Sequence, residues 1–179
     1  QLSRVLASEE WLSETGRKNA VEKLSNMQFK VLYPDRYFSY LGLDIHEGMT
    51  LLEMARNANF FEKCRLSQLV GKAYDRNMWD LNSMPTTEVN AYNEITSNSM
   101  IILSGYVAGN ITFDPQGEYE RNLAKLGTTI GHEMTHGFDD TGYGYDKYGK
   151  PIPYEEEVLF TSQDTLTFLN KTVNLAAMY

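Results

Sequence analysis

The feature that most constrains this chain is a pair of histidines spaced for one face of a helix, His132 and His136, with Glu133 next to the first. An α-helix has about 3.6 residues per turn, so side chains four positions apart can bind the same metal ion. The Glu133 carboxylate lies one position further around the helix, beside the metal's open coordination position, where it can take a proton from water. Two of the chain's 3 histidines therefore belong to one candidate metal site.

The stretch Gly131–His136 contains the H-E-x-x-H motif of zinc peptidases. The motif predicts that His132 and His136 are zinc ligands and that Glu133 is a general base. Asp139 follows His136 by three residues, so its carboxylate can orient a ligand imidazole. The alternative is an inert surface helix, because short patterns with two free positions also arise by chance.

A helix around the motif is predicted by apolar residues that recur at three- and four-residue spacings. These residues are Leu123, Leu126, Ile130 and Met134. We expect the helix to begin near Glu118 and to continue through the motif, with the apolar stripe packed against a core. The motif then lies on a helix that the core holds in place.

The composition excludes several classes of structure and function. The chain has 24 acidic and 16 basic residues and a net charge of -8, which argues against a nucleic-acid partner. Cys64 is the only cysteine, so neither an internal disulfide nor a cysteine-based structural zinc site is possible. We expect Cys64 to be a small buried residue on a helix. No run approaches the roughly 18 apolar residues of a membrane span, and the first residues lack the layout of a signal peptide.

Three further helices are expected outside the motif. The first is predicted to begin with Ser8 as N-cap and to continue to Tyr33-Pro34, where the proline ends it. The charged residues expected on its solvated face are Arg17, Lys18, Glu22 and Lys23. A capping box predicts a second helix from Thr50, and a last helix is expected from Thr161 or Ser162.

Short strands are predicted at Val89–Tyr92 and Met100–Leu103, with a polar segment between them. Asn82–Pro85 predicts a turn and is the best candidate for a boundary within the chain. The sequence therefore predicts a helical region over residues 1–87 and a second region over residues 88–179.

These residues resemble the neprilysin-type zinc metallopeptidases, a family that includes the endothelin-converting enzymes. The resemblance rests on Val89–Tyr92, on Met100–Leu103 and on Gly131–Asp140, together with the spacings between them. It implies an α+β, mostly helical fold, in which a zincin-like catalytic piece of short strands plus the H-E-x-x-H helix follows a helical region. Residues 1–87 would then be the end of the family's N-terminal part, and residues 88–179 the start of an incomplete zinc metallopeptidase domain.

The resemblance also implies roles for individual residues. His132 and His136 would bind one Zn²⁺, and Glu133 would be the catalytic base. Asn90, through its side chain, and Ala91, through its carbonyl, would hold the backbone of an extended peptide substrate. The residues that would line the main specificity pocket are Tyr106, Ile111, Thr128 and Thr129. The implied location is extracellular or at the cell surface.

The chain departs from the family pattern at several positions. Asn93 stands where the family usually has a second aromatic residue. The family's third zinc ligand, a glutamate in a Glu-x-x-x-Asp motif on a later helix, has no match before Tyr179. We therefore expect a fragment that is incomplete or inactive by itself and whose zinc site is completed by the remainder of a peptidase chain. Two alternatives stay open. Glu156, about twenty residues past His136, could be a third ligand as in thermolysin-like peptidases, or the chain could be a non-catalytic peptide-binding module.

Overall fold

The computed structural model describes residues 1–79, 84–110, 112–153 and 155–178. These residues form two compact units, one made of Gln1–Tyr33 together with Trp79–Tyr179 and the other of Pro34–Met78. Helices make up most of the regular structure, and the described residues contain one three-stranded sheet. This confirms the predicted α+β, mostly helical class. The division into residues 1–87 and 88–179 refers to the domains of a longer protein and stays a prediction.

The helices and strands follow one another along the chain with short connections in most places. In chain order they are α1 (Leu2–Ser8), α2 (Glu14–Ser25), β1 (Gln28–Leu32), α3 (Leu51–Ser67), β2 (Ala91–Glu94), β3 (Ser99–Leu103), α4 (Ser104–Val107), α5 (Tyr119–Asn122), α6 (Thr128–Thr135) and α7 (Ser162–Ala176). A π-helical turn, Leu123–Gly127, joins α5 to α6. All of these elements except α3 belong to the larger unit.

The N-terminal region differs from its sequence prediction. Ser8 ends α1 instead of capping a long helix. Ser13 caps the next helix, α2, because its side chain accepts a hydrogen bond from the Gly16 amide at 3.0 Å. Residues Gln28–Leu32, which were predicted to be helical, form strand β1 because their backbone pairs with β3 along five positions. Tertiary pairing therefore overrides the local helical spacing.

The sheet has the strand order β1-β3-β2. The central strand β3 pairs in parallel with β1 and antiparallel with β2, and all five of its residues are buried. The two predicted strands are thus present, although β2 begins at Ala91 and β3 at Ser99. A tight turn between them ends at Asn98, whose φ of 47° places it in the left-handed region.

One face of the sheet packs against the helix that carries the motif. The core cluster on this face consists of Leu24 and Met27, from α2 and the residues after it, and of Ala91, Met100 and Ile102 from the sheet. Leu126, Ile130 and Met134 pack against this cluster, as predicted, but Leu123 is 53% exposed. The π-helical turn adds a residue to one helical turn, so it rotates Leu123 away from the stripe.

Asp164 joins the start of α7 to the start of α2. It is 2% exposed and accepts hydrogen bonds from the Ser13 amide at 2.6 Å, the Ser13 hydroxyl at 2.7 Å and the Thr161 amide at 3.1 Å. Thr161 caps α7 reciprocally, which confirms the predicted helix start. Burial alone would raise the pKa of Asp164, but the hydrogen bonds from Ser13 and Thr161 outweigh it and lower the pKa.

The smaller unit contains α3, which begins with the predicted capping box between Thr50 and Glu53. Cys64 is exposed, which corrects the prediction that it is buried. A unit of about 45 residues has too little interior to bury every apolar side chain, and Leu51 is accordingly 82% exposed. The predicted turn at Asn82–Pro85 lies partly outside the described residues, since Asn82 and Ser83 are not among them.

Candidate active site

Helix α6 and the residue that follows it hold the two histidines of the motif. His132 lies in the last turn, and His136 is the C-terminal cap. Their Nε2 atoms are 3.1 Å apart. Two nitrogens that bind one tetrahedral zinc ion at 2.0–2.1 Å lie about 3.3 Å from each other. The two imidazoles therefore converge at a spacing that fits a single zinc ion.

Asp139 orients the second of these imidazoles. One carboxylate oxygen, Oδ2, lies 2.6 Å from His136 Nδ1, and the other, Oδ1, accepts from the amides of Thr141 at 2.9 Å and Gly142 at 2.8 Å. Burial alone would raise the pKa of Asp139, but the hydrogen bonds from Gly142, His136 and Thr141 outweigh it and lower the pKa. An ionised carboxylate only accepts, so His136 donates through Nδ1 and leaves the Nε2 lone pair for a metal.

The turn that supports Asp139 approaches the end of α6 very closely at Gly142. A Cβ atom at this position would lie 1.9 Å from the backbone oxygen of His136 and 2.6 Å from the carbonyl carbon of Gly137. No side chain fits in that space, so glycine is required here for steric reasons. This contact fixes the turn Gly142–Gly144 against the residue that carries the second imidazole.

Lys23 lies beneath the same turn, although it was predicted to face solvent. It is 2% exposed, and its Nζ donates to the backbone oxygens of Gly142 at 2.6 Å and Tyr145 at 2.7 Å. Burial lowers the pKa of Lys23 to about 8, opposed by the nearby carboxylates of Asp146 and Asp139. The prediction was wrong because it considered only charge. The spacing from Ala20, three residues earlier, and from Met27, four residues later, places Lys23 on the buried side of α2.

Glu133 is 7% exposed, and its backbone oxygen accepts a hydrogen bond from Asn93 Nδ2 at 2.7 Å. The last carbonyls of a helix lack partners within the helix, and Asn93 of strand β2 satisfies one of them. Among the described residues, Asn93 Oδ1 is buried without a hydrogen-bond partner. In the sequence, Asn93 stands out only as a departure from a family pattern. Asn93 follows the buried Ala91 by two residues, so both side chains lie on the same face of β2. This spacing is the signal in the sequence that places the Asn93 side chain towards α6.

Strand β2, which begins at Ala91, directly after Asn90, forms one edge of the sheet in the described residues. The Asn90 oxygen accepts from the Leu103 amide at 3.3 Å. Because hydrogen-bonded and non-bonded pairs alternate in an antiparallel ladder, the Ala91 carbonyl faces the open edge. The Asn90 side chain is folded back, with Oδ1 accepting from the Ala91 amide at 2.9 Å and Nδ2 lying 3.3 Å from Met84 Sδ.

The structure brings together two of the four residues predicted to line a specificity pocket. The hydroxyl groups of Tyr106 and Thr129 are 2.7 Å apart. Thr128 is exposed, and its hydroxyl donates to the Ala124 oxygen of the preceding π-helical turn at 2.6 Å. Ile111 lies outside the described residues.

A third protein ligand does not join the two histidines within the described part of the chain. No group of three or more histidine, cysteine, aspartate or glutamate side chains is arranged there to hold a metal ion. Glu156 is exposed, and its amide donates to the Pro153 oxygen at 2.9 Å. The thermolysin-like alternative, in which Glu156 completes the site, therefore receives no support.

Two convergent imidazoles at the end of one helix, an adjacent glutamate and a carboxylate behind the second ring form the arrangement that the H-E-x-x-H motif predicts. Residues 90–179, just over half of the chain, match the model of peptidase family M13. The chain belongs to this family, the neprilysin-type metallopeptidases.

Individual relatives agree with this assignment. The chain is 27% identical over 183 residues to human endothelin-converting enzyme-like 1, covering 99% of the chain and 22% of the relative. The crystal structure of PepO from Lactobacillus rhamnosis superposes with a TM-score of 0.85 at 29% identity, covering 98% of this chain and 27% of that one. The zinc metalloprotease Zmp1 of Mycobacterium tuberculosis, solved with an inhibitor, gives a TM-score of 0.83 at 27% identity, covering 99% and 25%. The chain thus spans about a quarter or less of the length of these relatives.

Proposed function

We propose that the protein containing this chain is a zinc-dependent endopeptidase that hydrolyses peptide bonds in oligopeptides. The observation that carries the proposal is the 3.1 Å separation of the Nε2 atoms of His132 and His136, with the second ring oriented by Asp139. Membership of peptidase family M13 supports it independently.

The residues of the site have separate roles in the proposed reaction. His132 and His136 would hold zinc through Nε2. Asp139 accepts from His136 Nδ1 and so keeps the Nε2 lone pair of His136 available for the metal. When bound, zinc supplies a Lewis acid that polarises the scissile carbonyl and makes water more acidic. Glu133 takes a proton from the attacking water and returns it to the leaving amine.

The substrate is proposed to bind in an extended conformation along the open edge of β2. The carbonyl of Ala91 accepts a hydrogen bond from the peptide backbone, which leaves the substrate side chains free to enter pockets. The side chain of Asn90 contributes once it turns from its own backbone to the peptide. Tyr106 and Thr129, whose hydroxyls already meet, would line the specificity pocket. Thr128 would lie at its exposed margin.

The third zinc ligand is proposed to come from a segment other than residues 1–179, since the relatives are several times longer than this chain and the described residues offer no third ligand. The remainder of the peptidase chain would then complete the site, and the isolated chain would bind zinc weakly. We propose an extracellular or cell-surface location from the family relationship. Within the described ranges, the structure contains no helix with the length and apolar character needed to cross a bilayer.

A second candidate function is a non-catalytic module that binds peptides and keeps the peptidase fold. The observation that favours it is the same absence of a third ligand within the described residues. The two functions differ in whether a bound peptide is cleaved.

The decisive experiment measures cleavage of a quenched fluorescent oligopeptide by the zinc-loaded, full-length protein and by its Glu133→Gln variant. We expect the variant to keep its zinc content and to lose about 10²-fold or more in turnover, because only the general base is removed. Loss of zinc on this substitution would show that Glu133 is a ligand instead. A wild-type protein that binds the peptide and leaves it intact would identify the non-catalytic module.

A further inference from the structure

A buried lysine on α2 is connected to the second histidine of the motif through a single residue, Gly142, and a single carboxylate, that of Asp139. Lys23 Nζ donates to the oxygen of Gly142 at 2.6 Å, and the amide of the same Gly142 donates to Asp139 Oδ1 at 2.8 Å. Asp139 Oδ2 lies 2.6 Å from His136 Nδ1. The path from Lys23 to the imidazole of His136 therefore consists of three consecutive hydrogen bonds, through Gly142 and Asp139.

The surroundings of Lys23 leave its ammonium group little choice of partner. A second hydrogen bond, to the Tyr145 oxygen at 2.7 Å, holds it to the far end of the turn. Its Nζ also lies 5.7 Å from the centre of the Phe138 ring. The backbone oxygen of Lys23 accepts from Asn98 Nδ2 at 3.0 Å, and the same amide donates to the Lys147 oxygen at 2.8 Å. Both ends of the loop over residues 142–147 are thus tied to one residue of α2 and its backbone.

A lysine in this position does more than fill space. Removing a charged group from water is costly, so a buried lysine needs compensating partners. Two backbone carbonyls and the negative charges of Asp139 and Asp146 supply the compensation here. An apolar residue would fill the same volume at lower cost, but it would leave the carbonyls of Gly142 and Tyr145 without their donor.

We propose that Lys23 is a positioning residue for the imidazole of His136. By fixing Gly142, it fixes the amide that holds Asp139, and Asp139 then fixes the orientation and the tautomer of the ring. The role of His136 as a zinc ligand rests on the proposed function, whereas the effect of Lys23 on the ring does not require zinc.

The test compares Lys23→Met with Lys18→Met, which removes an exposed lysine from the same helix. The first readout is the tautomer of His136 in the metal-free chain, measured by long-range proton–nitrogen correlation at a pH at which the ring is neutral. Wild type and Lys18→Met should show the proton on Nδ1, and Lys23→Met should show a mixture of both tautomers. Circular dichroism establishes that each variant is folded. If Lys23→Met does not fold, Lys23→Gln is measured in its place. Its side-chain nitrogen ends one bond short of the position of the lysine Nζ, so the hydrogen bond to Gly142 is weakened and a mixture of both tautomers is again expected.

The second readout is zinc affinity in the full-length protein, measured by competition with a chromophoric chelator. Residues that support metal ligands affect affinity by about 10- to 100-fold, and Lys23 acts one step further away. We therefore expect a loss of about 10-fold for Lys23→Met and none for Lys18→Met. A folded Lys23→Met variant with the wild-type tautomer overturns the proposal, even if its stability is reduced. If the wild-type protein binds no zinc, the proposed function fails, and the tautomer measurement still decides the role of Lys23.

Discussion

Replacing Gly142 by alanine should displace the turn that supports the second histidine. The new Cβ would lie 1.9 Å from the His136 oxygen, whereas a Cβ essentially never comes closer than 3.0 Å to such an atom. The turn or the helix end therefore has to move by about 1 Å or more, and overpacking of this kind typically costs about 1–3 kcal/mol. For a chain of this length, each ~1 kcal/mol lowers the melting temperature by roughly 2–4 °C.

The same displacement should weaken metal binding, because Gly142 donates to Asp139 and Asp139 orients His136. We expect zinc affinity to fall by about 10-fold or more, as for other groups that support metal ligands. The measurements are thermal unfolding of the chain by circular dichroism and zinc competition in the full-length protein.

Gly144→Ala is a matched control two positions away in the same turn. Among the described residues, and apart from its chain neighbours, no heavy atom lies within 4 Å of a Cβ built at Gly144, and its φ does not demand glycine. This variant should unfold within about 0.5 kcal/mol of wild type, as surface substitutions usually do. If Gly142→Ala matches Gly144→Ala in both stability and zinc affinity, the close approach of the turn to α6 does not position the site.

Three further predictions concern other parts of the molecule. Asp164→Asn should destabilise the chain at neutral pH by about 2 kcal/mol or more, because hydrogen bonds to a buried charged group are lost. The folded-state pKa of Asp164 is lowered, so the carboxylate stabilises the fold fully above its unfolded pKa of about 4, and this stabilisation is lost as the pH falls through the folded-state pKa. The free energies of unfolding of wild type and variant, measured in urea, should therefore converge at low pH. A difference that grows on acidification would contradict this prediction. Asn93→Leu should change stability by less than about 1 kcal/mol, because loss of the bond to the Glu133 oxygen is offset by removal of the unpartnered Oδ1; a loss above about 2 kcal/mol by urea unfolding would disprove the compensation. Thr129→Val in the full-length protein should strengthen the preference for Phe or Leu after the scissile bond, because it removes a hydroxyl that bonds Tyr106 and adds a methyl group; an unchanged profile on a peptide library varied at that position would remove Thr129 from the pocket.

Features set by local spacing were predictable from the sequence. The two imidazoles share a helix face because four residues separate them, and the capping boxes at Thr50 and Thr161 each depend on a residue three positions later. The strands β2 and β3 were also predicted, within two residues of their true starts. Each of these features depends mainly on residues a few positions apart, so the local sequence pattern is enough to predict it.

Features set by tertiary packing were not predictable from local spacing. The residues of β1 have the spacing of a helix, and only pairing with β3 makes them a strand. The displacement of Leu123 depends on a π-helical turn that leaves no clear mark in the sequence. Lys23 was assigned to solvent because charge outweighed its position between Ala20 and Met27, and its partners lie about 120 residues later in the chain, at Gly142 and Tyr145. Prediction failed wherever a distant segment supplied the partner.

The parallel pairing of β1 with β3 has a consequence for how the protein is made. Gln28 and its partner Ser99 are 71 residues apart in sequence, and ribosomes add about 5–20 residues per second. For roughly 4–14 s during synthesis, β1 is present without the strand that converts it from its local helical preference. During this interval Gln28–Leu32 can continue the helix of α2, so the segment becomes a strand only after β3 has been synthesised. Substitutions that strengthen helix formation between Gln28 and Leu32 should therefore slow productive folding more than they alter the finished structure.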